Sequence, residues 1–308
     1  MSFLRPRKIR KSFDLYYGYS FYTPGIGGMF VLLIWLLAGA FLGNLITLVL
    51  TYAVSSSFAT GYGMLMAYPV MFIPAMMYAS LKSKRNATFD KGYSLTSNHY
   101  GKLGWMAAAI LVMIATAAAA FMTDAINCLM PPTPKWLENL MKAMTQGNLW
   151  VNFLSVSIFA PIFEEWLCRG EVLRGLLNHR RPDGSAMDPK WAIAISAVFF
   201  AFIHLNPWQA VPAFILGVLF GYVYYKTGSL WLTMLMHFTN NTLALIFSNI
   251  DSLKDMNTWL DVLPKMTYVI CFIVCGLVLL FAVRQLGKIP QQSPEGNCDE
   301  VEANPETI

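Results

Sequence analysis

Charge is scarce in this 308-residue chain: Asp, Glu, Lys and Arg make up 13% of it, against about 25% in an average soluble domain. With 56% of residues apolar, that shortfall excludes an ordinary soluble domain and a disordered chain. The net charge is only +5, and the basic residues stand beside apolar runs rather than along one face, so no nucleic-acid partner is expected. Cysteine is sparse as well. Cys128, Cys168, Cys271, Cys275 and Cys298 form no CxxC and read as buried or free thiols. There is no HExxH and no G-x-S-x-G. No aspartate is expected in an apolar helix, so an aspartyl dyad drawn from two helices is unavailable.

What the chain does have is apolar runs, at about 28–52, 63–81, 103–122, 149–168, 191–204, 211–225, 230–247 and 266–283. Most approach the ~20 residues that cross a bilayer. The expected fold class is all-α, a polytopic membrane protein with about eight transmembrane helices. The first run is too long for a signal peptide and reads as a span. The organisation expected is a basic N-terminus (1–27), N-terminal transmembrane helices (28–148), a helical core (149–247), a last span with its preceding loop (248–289) and a polar, acidic tail (290–308). With the N-terminus in the cytoplasm, 18 of the 22 Lys and Arg fall on the inner side, including Arg169 and Arg174. Both termini are therefore expected to be cytoplasmic, and the count of eight turns on the short fifth segment. Gly39 with Gly43, and Gly217 with Gly221, are expected to let helices approach closely.

An ionisable group inside a bilayer is expensive and needs a reason. Glu164 and Glu165 interrupt the fourth apolar run, His204 closes the fifth, and His237 lies in the seventh with Asn240 and Asn241 after it. Glu165 and Arg169 are four apart and can pair on a helix, leaving Glu164, about 100° away, without a local cation. His237 and Asn241 share a helix face, as do Phe200 and His204. A fourth helix running to Asn178, kinked at Pro161, would set Glu164 roughly 21 Å from its end. His204, His237 and Asn241 would lie about 20, 12 and 18 Å into theirs. Four polar groups from three helices are thus expected to meet near mid-bilayer.

A carboxylate and an imidazole facing one water make a general base, and His237 and Asn241 can donate to a developing oxyanion. Alternatively, Glu164, His204 and His237 form a His₂Glu set suited to one catalytic zinc with an open water position. The residues leave both modes open, and a metal-free site with them. Cys168, beside Arg169, is a weaker nucleophile candidate because it leaves Glu164 and Asn241 without roles.

Glu164-Glu165-x-x-x-Arg169, Phe200-x-x-x-His204 and His237-x-x-x-Asn241 follow one another on consecutive helical segments. In that order they resemble the three motifs of the CPBP (Abi) family of CAAX-type prenyl endopeptidases and bacteriocin-processing or immunity proteins. The resemblance spans about 149–247. It implies an intramembrane endopeptidase in which Glu164 and His204 activate water and His237 and Asn241 stabilise the oxyanion. Glu165, Arg169 and Phe200 support them. The family is often labelled metalloprotease, while a metal-free glutamate mechanism is argued for its eukaryotic members, so the resemblance leaves the metal open. The expected partners are a peptide or membrane-anchored protein substrate and the lipid bilayer, in the cell inner (plasma) membrane. The rival reading is a non-enzymatic immunity or scaffold protein, or a small proton-coupled transporter.

Overall fold

The structure, a computed structural model, describes residues 15–90, 92–97, 99–139, 148–253, 256 and 258–290. The basic residues Arg5, Arg7, Lys8, Arg10 and Lys11, the loop lysines Lys91, Lys142 and Lys254, the tail from 291 onward and Cys298 lie outside the described residues. The long helices are α1 (Ile26–Ala53), α2 (Ser56–Asn86), α3 (Gly104–Asn127), α4 (Leu149–Asn178), α5 (Pro189–Phe202), α6 (Pro207–Thr227), α7 (Leu230–Ser248) and α8 (Lys265–Gly287). Among the described residues there is no strand. The protein is an all-α, polytopic membrane protein.

Six of these helices are long and apolar enough to cross a membrane by length and composition. The other two are α5 and α7. At 14 residues, α5 reaches about 21 Å, short of the ~30 Å of hydrocarbon. In α7, His237, Asn240 and Asn241 dilute the apolar sequence.

Local chemistry sets the helix ends. Asn148, Asp188, Asn206 and Ser229 cap α4, α5, α6 and α7 by accepting backbone N–H groups of the first turn. Pro189 and Pro207 follow two of those caps, where a missing N–H costs nothing. Gly228 ends α6 in the left-handed conformation at φ 62°. A Cβ there would stand 1.9 Å from the Ser97 hydroxyl oxygen. The long fourth helix is present, and π-helical turns at Phe153–Phe159 and Trp166–Leu173 flank its central α-helical turn. Pro161 lies just after the first of these turns, where its missing N–H breaks the α ladder.

Lipid tails are as apolar as leucine, so helices in a bilayer associate through close packing and polar ties. Both kinds are visible. A Cβ on Gly39 would lie 1.9 Å from the Met71 carbonyl oxygen of α2, and Gly217 sits against Ala197 of α5. Arg174 spends its five N–H donors on the carbonyls of Gly170, Ser20, Tyr93, Tyr19 and Tyr22, tying the segment before α1 to α4. Arg169 and Arg174 are 0% and 2% exposed. They are internal ties of α4 rather than loop charges, which corrects their place in the charge count; 16 inner residues remain against 4 outer ones.

Asp124 also corrects the expectation that no aspartate sits in an apolar helix. It is buried in the last turn of α3, and its carboxylate accepts the Trp259 N–H. The thiols are free: Cys168 is buried, Cys128 exposed, and Cys271 and Cys275 lie between.

Candidate active site

Glu164 and Glu165 occupy the α-helical turn between the two π segments of α4, and they face different surroundings. Glu165 is fully buried. Its Oε1 accepts from Arg169 Nη1 at 2.8 Å and from His237 Nδ1 at 3.0 Å. The Arg169 guanidinium also donates to the Gly217 carbonyl at 3.0 Å. It lies 4.5 Å from the Phe200 ring centroid and 5.3 Å from that of Phe220. A buried carboxylate, a guanidinium and an imidazole thus join α4, α6 and α7. The i, i+4 pairing expected of Glu165 and Arg169 is present.

Glu164 points into a cavity of about 300 Å³. Its Oε1 accepts a hydrogen bond from the Tyr68 hydroxyl of α2. Its Oε2 is buried and has no hydrogen-bond partner. The cavity is otherwise largely apolar, walled by Leu36 of α1, Met71 and Phe72 of α2 and by Leu137, a residue 1% exposed in the connection between α3 and α4.

His204 lines the same cavity from the other side. It is not inside a helix, as the apolar run suggested, but in the turn after α5. Leu205 beside it holds φ 53°, uncommon for a residue with a Cβ. The Phe200 carbonyl lies 2.7 Å from His204 Nδ1 and can only accept. The neutral ring therefore carries its proton on Nδ1 and turns a bare Nε2 outward.

His237 and Asn241 are not among the residues lining that cavity. Both hydrogen-bond to α4 instead. His237 gives its Nδ1–H to Glu165, so its Nε2 can donate only when the ring is an imidazolium. Asn241 donates to the Val156 carbonyl in the first π segment at 2.8 Å and accepts from Asn240. That carbonyl lies where the α ladder is interrupted, so the amide satisfies an acceptor the π turn exposes. The Phe200 ring contacts both imidazoles, with centroids 5.0 Å from His204 and 5.4 Å from His237.

The zinc set Glu164, His204 and His237 is not assembled in this arrangement: His237 is not among the residues that line the cavity with the other two. Among the described residues, no group of three or more His, Cys, Asp or Glu side chains is placed to hold a metal ion. Tyr68 is the polar contact that sequence reasoning missed. It lies 96 residues from Glu164 on another helix, and no spacing rule links them.

Residues 146–243 match the family described as type II CAAX prenyl endopeptidase Rce1-like. The match supports the resemblance to the CPBP/CAAX protease family over this segment. The match covers about a third of the chain and contains all three motifs. No curated protein and no solved structure matches the chain. The CAAX protease segment supplies α4 to α7, hence both glutamates and both histidines. The Tyr68 wall of the cavity, on α2, lies outside it. The matched family, by its description, is one of prenyl endopeptidases, so the match points to a CAAX-type protease as the coarse activity class.

Proposed function

We propose that this protein hydrolyses a peptide bond of a membrane-associated peptide or protein, with Glu164 and His204 activating the attacking water. One observation carries the reading: Glu164 and His204 line the same cavity, the carboxylate with one oxygen that has no hydrogen-bond partner and the imidazole with a bare Nε2. A water between them has two acceptors for its protons. Its oxygen forms a bond to the scissile carbonyl carbon while the Glu164 carboxylate takes a proton. The proton passes to the leaving amine as the C–N bond breaks. The apolar walls suit the flanking part of a membrane peptide and keep bulk water out.

In this reading the first task of His237 and Asn241 is to seat α7 on α4. Asn241 retains one amide hydrogen, and His237 Nε2 carries one only as imidazolium, so those are the donors the pair could offer an oxyanion. No step runs through a metal. The remaining Lys and Arg asymmetry supports an inner-membrane protein with both termini in the cytoplasm.

The test uses the full chain reconstituted in liposomes, with a quenched-fluorescent farnesylated CAAX peptide and an unmodified apolar peptide as probes. Cleavage of at least one by the wild type is expected, with Glu164→Gln and His204→Ala slower by about 100-fold or more. Cleavage of neither by the wild type, or unchanged rates in both variants, would contradict the reading.

A further inference from the structure

Glu164 has two oxygens with different fates, and the difference originates outside the family segment. Oε1 accepts the Tyr68 hydroxyl, and Oε2 has no partner. Nothing on α4 itself produces that asymmetry, since Arg169, its nearest cation along the helix, is spent on Glu165 and the Gly217 carbonyl.

The hydroxyl is not free to wander. The Tyr68 ring packs on Phe72, one helical turn away, with centroids 5.7 Å apart. Phe72 is fully buried and stacks on Phe163 at 5.3 Å with an interplanar angle of 16°. Phe163 directly precedes Glu164. A chain of three rings therefore joins the phenol of α2 to the helical turn that bears the carboxylate. It fixes the hydroxyl relative to that turn by side-chain packing rather than by a loop. The close α1–α2 contact at Gly39 also braces α2.

We infer that Tyr68 is a positioning residue for Glu164: by holding Oε1, it stops the carboxylate rotating beside the cavity that His204 shares and leaves Oε2 as the oxygen without a protein partner. The inference rests on the reading that Glu164 activates water. Tyr68 need touch neither water nor substrate. It acts by fixing the acceptor, and small misplacements of a reacting group are costly in rate. A bond that served packing alone would have a different signature. Its loss would lower stability and leave turnover of the folded protein intact.

Tyr68→Phe keeps the ring stack and removes only the hydroxyl. In the reconstituted full chain, with whichever of the two peptides the wild type cleaves, kcat is expected to fall about 10- to 100-fold with KM within about twofold. Adding Tyr68→Phe to Glu164→Gln should cost nothing further, because the two act as one unit. If the Phe protein does not fold, 3,5-difluorotyrosine at position 68 keeps shape and hydrogen bond and changes the donor strength. It should alter kcat at least twofold with an unchanged melting temperature. Wild-type kcat in Tyr68→Phe while Glu164→Gln is inactive would overturn this inference alone. So would a raised KM with kcat intact, or an unmoved kcat in the difluorotyrosine protein. Wild-type activity in Glu164→Gln would overturn the water-activation reading and this inference with it.

Discussion

Two adjacent glutamates meet opposite conditions in this molecule. Glu165 is fully buried and shares one oxygen between an imidazole and a guanidinium that packs on the rings of Phe200 and Phe220. Glu164, the next residue back, lines a cavity with one oxygen held by a phenol and the other buried without a partner. The rotation of about 100° between neighbours on a helix separates the two sites. Oε2 of both residues is buried without a hydrogen-bond partner, so what distinguishes them is the company of Oε1 and the place: charged partners from two helices suit a tie, and a single phenol beside a cavity suits the proposed reagent.

The largest effect should come from breaking the Glu165 side. Arg169→Ala leaves a carboxylate buried without its cation and should destabilise the protein by about 3–5 kcal/mol, measured as lost thermal stability in detergent or lost expression. Glu164→Gln should do the reverse, leaving the melting temperature within a few degrees of wild type while abolishing cleavage, since no buried ion pair depends on it.

That contrast was partly legible in the sequence. The i, i+4 rule pairs Glu165 with Arg169 and leaves Glu164 over, and helix arithmetic puts Glu164 and His204 at similar depths. Asn206-Pro207 could also have shown that His204 falls in a turn, because an N-cap followed by proline starts a new helix. The remainder was illegible for a physical reason. Tyr68 reaches Glu164 across 96 residues and His237 reaches Glu165 across 72, and such contacts depend on how helices dock, which periodicity does not encode. The same limit explains why His237 and Asn241, correctly assigned to one helix face, belong to the Glu165 side rather than to the cavity.

Smaller effects sharpen the division. Asn241→Ala removes the donor to the Val156 carbonyl and should cost about 1 kcal/mol of stability, read by thermal denaturation, as a residue on the structural side. Leu205→Gly relieves a left-handed backbone beside His204 and removes a mostly exposed side chain. Because glycine also gains freedom in the unfolded chain, the net stabilisation should stay below about 1 kcal/mol, visible as a small rise in melting temperature.

The most direct test of the central claim treats the two glutamates alike. Glu164→Gln and Glu165→Gln proteins, purified in parallel, are compared for melting temperature and for peptide cleavage per folded molecule. The account predicts a stable, inactive Glu164→Gln protein and a markedly destabilised Glu165→Gln protein. A Glu164→Gln protein that cleaves as fast as the wild type would contradict it.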